Sequence, residues 1–131
     1  MAALLDTSVA ILLRDAQTEA DSRMKGLAAV PALSIVTQVE LEGGVRVKPE
    51  LAPARRAALD LLLATLTVLP FNRDCVEAYR RIVETAGFSR RKIIDRMIAA
   101  TALAHGLTLI TLHGPDFSDI PGLSYEVWPS P

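Results

Sequence analysis

Cysteine is nearly absent: Cys75 is the only one among 131 residues, so no internal disulfide can form. A lone thiol fits a reducing compartment, and its expected place is in the core. Histidine is scarce as well, with His105 and His113 the only imidazoles, so no cluster of soft ligands supports zinc. Excess charge of either sign is missing. Fourteen Lys and Arg stand against fifteen Asp and Glu, a net charge of −1, which excludes the broad basic surface that many phosphate contacts require. Any nucleic-acid chemistry is therefore local. Long apolar runs are missing too: the richest stretch, residues 59–69, is interrupted by Asp60 and is shorter than the roughly 20 residues a membrane span needs. The opening residues, Met1 to Leu5, have no basic flank and too few apolar side chains before Asp6 to read as a secretory signal. The expectation is a cytoplasmic protein. No repeat, low-complexity tract or linker interrupts the chain, and its length suits one domain over residues 1–131.

Half of the residues are hydrophobic and 22% are charged, a balance that suits an α/β protein whose strands are covered on both faces. Short apolar runs at residues 2–5, 32–36, 67–71, 108–112 and 125–128 read as buried strands. Helical patterns lie between them. Thr7 or Ser8 can cap a helix over residues 9–14, and Thr37 with Glu40 has the spacing of a capping box. Pro53 suits the first turn of a helix reaching about Leu66, and Asp74 can open another that ends near Gly87. A last helix runs from about Arg91 to His105, where a cation suits the helix end, and closes at Gly106. Single strands alternating with helices predict a mostly parallel sheet with helices on both faces.

In such a sheet the functional crevice lies outside the carboxyl ends of the strands. Four acids are predicted to meet there. Asp6 directly follows the first strand, and Glu40 falls a few residues past the second. Asp95 lies early in a helix that returns through a tight turn to the fourth strand, so that helix must start at the same rim. Asp116 follows the fourth strand in the loop after His113, Gly114 and Pro115. Carboxylates gathered on one rim repel one another unless a cation neutralises them. A hard divalent ion such as Mg²⁺, or Mn²⁺ in its place, prefers such oxygen ligands. An acidic metal site of this kind suits phosphodiester hydrolysis. Each acid taken singly also reads as a cap or turn residue.

The residues that carry this arrangement resemble a known family. Leu4-Leu5-Asp6-Thr7-Ser8 is similar to the opening of PIN domains, and Thr37-Gln38-Val39-Glu40-Leu41 to their second acidic motif. Residues 94–102, 106–111, 116–117 and 120–123 follow the VapC-type pattern nearly throughout. The resemblance implies a PIN-like three-layer sandwich, a five-stranded parallel sheet flanked by helices. It further implies Mg²⁺- or Mn²⁺-dependent endoribonuclease activity as the toxin of a toxin–antitoxin pair, with a small VapB-like antitoxin as partner and a homodimer as assembly. Asp6 and Asp95 would be the principal metal ligands, Glu40 a further ligand or base, and Thr7 or Ser8 hydrogen-bonding groups in the site.

The chain departs from that pattern after the fourth strand, where Thr111-Leu112-His113 replaces the usual Thr-Arg-Asn or Thr-Arg-Asp. Asp116 is the expected fourth carboxylate. His113 stands as the alternative, as ligand, proton donor or loop residue, and Asp119 reads as a turn residue. A haloacid-dehalogenase-type phosphatase would need an aspartate where Ser8 stands, and a receiver domain would need one where Asn72 and Arg73 follow the third strand. The remaining alternative is a PIN-like binding module with little or no cleavage. Seven of the fourteen Lys and Arg fall between Arg73 and Arg96, a basic segment that reads first as a solvated helix face. The aliphatic richness of so short a chain, together with the resemblance, predicts an apolar groove for a partner's amphipathic segment.

Overall fold

A computed structural model describes residues 2–131; Met1, the first residue of the segment read above for a secretory signal, lies outside the described residues. The elements run β1 (Ala3–Leu5), α1 (Thr7–Arg14), α2 (Thr18–Lys25), β2 (Ala32–Ser34), α3 (Ile35–Arg46), α4 (Ala52–Thr65), β3 (Thr67–Leu69), α5 (Arg73–Ala86), α6 (Ile93–His105), β4 (Thr108–Thr111) and β5 (Tyr125–Val127). The five strands form one sheet in the order β3-β2-β1-β4-β5, and every neighbouring pair is parallel. This is the five-stranded α/β architecture expected from the alternation. No helix among the described residues is long and apolar enough to cross a membrane.

Strand alternation divides the interior into two cores. Leu5 and Ile110 point to one face, where Val9, Leu41, Leu59 and Leu62 from α1, α3 and α4 cover them. Leu4 and Leu109 point to the other, against Ala78 and Ile82 of α5 and Ile98 and Ala99 of α6. Cys75 is buried and free, as its isolation implied. Only β1, β2 and β4 are well covered. All three residues of β5 and Thr67 of β3 are exposed, because these strands are the sheet's edges.

Several boundaries differ from the sequence reading, each for a local reason. Asp6, rather than Thr7 or Ser8, caps α1: its side chain accepts from the Val9 amide. Strand β2 stops at Ser34 because the Ser34 hydroxyl caps α3 through Val36 N, so Thr37 lies inside the helix and forms no capping box. Asn72 caps α5 through Cys75 N, two residues before the expected opening at Asp74. A 3₁₀ turn over Arg90–Lys92 precedes α6. Helix α2 was not expected at all. Its sequence is polar, without an apolar stripe, and it is held by a Gln17 cap and by i,i+4 pairs from Arg23 to Glu19 and Lys25 to Asp21. At the other end of the chain Gly106 takes the left-handed φ of 65° and turns α6 tightly into β4, as its lack of a Cβ allows.

Gly114 joins the β4 loop to the sheet edge. It is buried, and a Cβ there would lie 2.8 Å from Val127 Cγ2. Gly114→Ala is expected to destabilise the fold by roughly 1–3 kcal/mol through overpacking. Val127→Ala in the same chain should restore most of that loss. Denaturant midpoints of the single and double variants measure this coupling.

Candidate active site

Parallel strands deliver their carboxyl ends to one rim, and the rim is where Asp6 sits. Its amide extends the β1–β4 ladder by donating to Ile110 O at 2.9 Å. Its side chain is only 5% exposed, so every contact to the carboxylate counts. Oδ1 accepts from Ser8 Oγ at 2.5 Å and from Val9 N at 3.1 Å. Oδ2 accepts from the fully buried Thr111 Oγ1 at 2.5 Å. A carboxylate oxygen offers about two lone-pair sites. Oδ1 is therefore filled, and Oδ2 keeps one direction open.

Two hydroxyls that grip Asp6 also order the β4 loop. Ser8 Oγ accepts from Leu112 N at 3.2 Å, and Thr111 Oγ1 accepts from His113 N at 3.0 Å. The loop carrying His113 and Asp116 is thereby tied to the same carboxylate. Glu40 is placed by a second pair of threonines. Thr7 Oγ1 donates to Glu40 Oε1 at 2.5 Å and lies 3.1 Å from Thr37 Oγ1, which is fully buried. Behind them, Ser34 Oγ lies 3.2 Å from Thr101 Oγ1, joining the start of α3 to α6.

Asp95, in the first turn of α6, is where the acids act on one another. Its carboxyl is raised above the ordinary range by burial first and then by the charges of Asp116, Asp6 and Glu40; only His113 opposes this. Asp6 is raised as well, because burial outweighs the hydrogen bonds from Ser8, Thr111 and Val9 and the charge of His113. Asp116, Asp6 and Glu40 thus lie near enough to Asp95 to act on its carboxyl, and His113 acts on it too. Among the described residues, no Lys or Arg is one of the groups that act most strongly on Asp6 or Asp95.

Asp119 lies outside the group. It is paired with Arg96 at 3.2 Å and Lys92 at 3.5 Å. Burial raises its carboxyl, but those two cations together hold it below the ordinary range. Thr37 and Thr111 were not singled out from sequence as site residues. Thr37 lies three positions before Glu40 on the same helix, a spacing that signals a shared face. Thr111 read as one more β-branched strand residue.

The donor set fits a hard divalent cation: carboxylate oxygens, no thiolate, and mutual repulsion without a fixed cation to relieve it. Among the described residues no group of three or more His, Cys, Asp and Glu converges tightly enough to ligate one ion together. The acids are near enough to repel and too far apart to form a closed cage.

The raised carboxyls set a sign for the pH dependence of stability. An acid whose pKa is higher in the folded chain binds a proton the unfolded chain has lost, so its contribution falls as pH rises through the interval between the two values. In chelator, Asp6→Asn should match the parent at a pH below the ordinary aspartate value of about 3.9. It should grow relatively more stable as pH rises above that value. Melting temperatures of the two proteins between acidic and neutral pH check this; a difference that shrinks with rising pH contradicts it.

The family model described as PIN domain matches residues 3–123. Ribonuclease VapC1 of Rickettsia felis is 39% identical over 70 residues, covering 51% of this chain and 52% of that protein. The match thus spans about half of that relative's length. Ribonuclease VapC2 of the same organism is 31% identical over 100 residues, covering 74% of this chain and 73% of that protein. Among solved structures, VapBC2 from Rickettsia felis bound to a DNA fragment from its promoter superposes with a TM-score of 0.83 at 25% identity, covering 98% of this chain and 99% of that one.

Proposed function

The chain belongs to the PIN domain family, and on that premise we propose that it is a divalent-metal-dependent endoribonuclease, the toxin of a toxin–antitoxin pair, acting through Asp6, Glu40, Asp95 and Asp116. The observation that carries this reading is that half-buried Asp95, at the start of α6, stands within electrostatic reach of Asp116, Asp6 and Glu40, with Asp6 itself at the carboxyl end of β1. Similarity to proteins named ribonuclease VapC supports RNA as the substrate.

Asp6 and Asp95 would hold Mg²⁺ or Mn²⁺, Asp6 through the open side of Oδ2. When bound, such an ion polarises the scissile phosphate and lowers the pKa of a water. The chain's own groups do the rest. Thr111 and Ser8 fix the Asp6 carboxylate in one orientation. Thr7 holds Glu40 by one oxygen, Oε1, leaving Oε2 to accept a proton from an attacking water. Asp116, on the loop tied down through His113 N, would complete the acidic group, and His113 would serve a phosphate or a leaving oxygen. A VapB-like antitoxin segment would lie in the groove of about 260 Å³ lined by Leu13, Met24, Ala58, Leu61 and Leu62. A homodimer is the assembly this reading includes.

The direct test is cleavage of mixed cellular RNA with Mg²⁺, with Mn²⁺ and in chelator. Chelator is expected to abolish cleavage. Asp95→Asn should lower it by at least 100-fold while the chain stays folded, since the change keeps side-chain size and relieves repulsion. Wild-type rates in folded Asp95→Asn would remove the proposed centre.

A second comparison separates the two candidates on the β4 loop. A hard ion gains more from a carboxylate than from an imidazole, so Asp116→Asn should weaken Mn²⁺ binding and single-turnover cleavage, whereas His113→Asn should leave metal affinity nearly unchanged. Titration calorimetry and rates measured across pH decide between them. A silent Asp116→Asn beside a dead His113→Asn would reverse the assignment.

A further inference from the structure

The basic segment of the sequence, residues 73–96, separates into three parts in the folded chain. Arg80 is neutralised by Glu77 at 2.8 Å and Glu84 at 2.9 Å. Arg96 is 2% exposed and serves as an internal anchor: Nη1 donates to Gly87 O at 2.5 Å and Nη2 to Asp119 Oδ2 at 3.2 Å. Lys92 shares that Asp119. Four remain, Arg73 and Arg81 on α5 and Arg90 and Arg91 in the turn before α6, all exposed and without a carboxylate salt-bridge partner among the described residues; of these, Arg90 and Arg91 stand nearest Asp95 in the chain.

Their position gives them a use. They form the 3₁₀ turn Arg90–Lys92, which runs directly into α6, where Asp95 is the third residue. At a rise of about 1.5–2 Å per residue the turn lies on the order of 6–10 Å from Asp95 along the chain. Phe88, two residues before Arg90, is 66% exposed, while Phe117 is 1% exposed. Phe88 thus leaves an aromatic ring in solvent two and three residues from two exposed arginines. The same group suits a single-stranded nucleic acid, whose bases stack on aromatic faces and whose phosphates pair with arginine. The segment is also held in place. Gly87 O is bound by Arg96, the neighbour of Asp95, and Lys92 is bound through Asp119, so little ordering remains to be done on binding.

Resting on the function proposed above, we infer that Phe88, Arg90 and Arg91 form the lip that grips single-stranded RNA next to the cleavage centre. A substrate of phosphates cannot approach a rim of four carboxylates unaided, and the net charge of −1 offers no general attraction. The lip supplies positive charge a few residues from Asp95 along the chain. Arg90 and Arg91 contact phosphates flanking the scissile one, and Phe88 stacks on a base.

The test uses the full chain and a fluorescein-labelled single-stranded RNA of mixed sequence. Anisotropy in chelator measures binding without cleavage, and initial rates in Mg²⁺ give KM and kcat. Phe88→Ala should weaken binding on the order of tenfold, as loss of one stacked base does. The double variant Arg90→Ala/Arg91→Ala should lower the slope of log affinity against log salt by about 1.4, about 0.7 for each lost contact to a single strand. Both should raise KM with kcat nearly unchanged, and Arg80→Ala, which removes a cation already paired, should change neither. Wild-type affinity, salt slope and KM in the lip variants would overturn the inference, as would an equal loss in Arg80→Ala. Light scattering adds one more outcome: a change in oligomeric state without a change in RNA affinity would assign the lip to contact between copies and overturn it too. If the parent chain fails to cleave in Mg²⁺, the proposed function falls, and the binding arm still judges the lip.

Discussion

One buried carboxylate organises this molecule. Asp6 ends β1, continues the ladder to β4, caps α1 and receives two hydroxyls, while its side chain is almost wholly removed from water. Burying that charge costs free energy unless hydrogen bonds replace the lost solvent. The replacement dictates its surroundings: Ser8 in the first turn of the helix, a β-branched hydroxyl at the end of β4, and a loop whose amides close on those same hydroxyls. The incomplete replacement matters equally. One lone pair on Oδ2 is left unfilled, and the carboxyl remains above its ordinary range.

Much of this arrangement is legible in the sequence because parallel topology converts order along the chain into position. A residue directly after a strand, such as Asp6, and one at the start of a helix that turns tightly into the next strand, such as Asp95, must reach the same rim. Side-chain chemistry is harder to read. Capping depends on which oxygen reaches which amide, so Asp6 and Ser34 take roles that Thr7, Ser8 and Thr37 fit equally well by type. Thr111 lies 105 residues from Asp6 and looks like an ordinary strand residue until β1 and β4 pair. Helix α2 escaped notice because ion pairs and a glutamine cap hold it, and these leave no apolar period.

Charge is sorted by distance rather than by amount. With nearly equal numbers of acids and bases, the chain keeps a group of acids on the rim and two unpaired arginines in the turn just before α6, while Arg56, Arg80 and Arg96 are neutralised locally. Arg96 holds these two regions together. It follows Asp95 in sequence and bonds Gly87 O, at the start of the segment that carries the arginines, and Asp119. A near-neutral protein can in this way present opposite potentials to a metal ion and to a polyanion a few residues apart.

The outermost strands restrict how the molecule can meet others. Both β3 and β5 have three residues, with Pro70 closing one and Pro129 following soon after the other. So short a row of backbone donors and acceptors, ended by a residue with no amide hydrogen, is a poor template for an added strand. Association by β-augmentation, and fibril growth from these edges, are both disfavoured. Recognition of other chains is left to the helical faces, where side chains, rather than a shared backbone ladder, decide which protein binds.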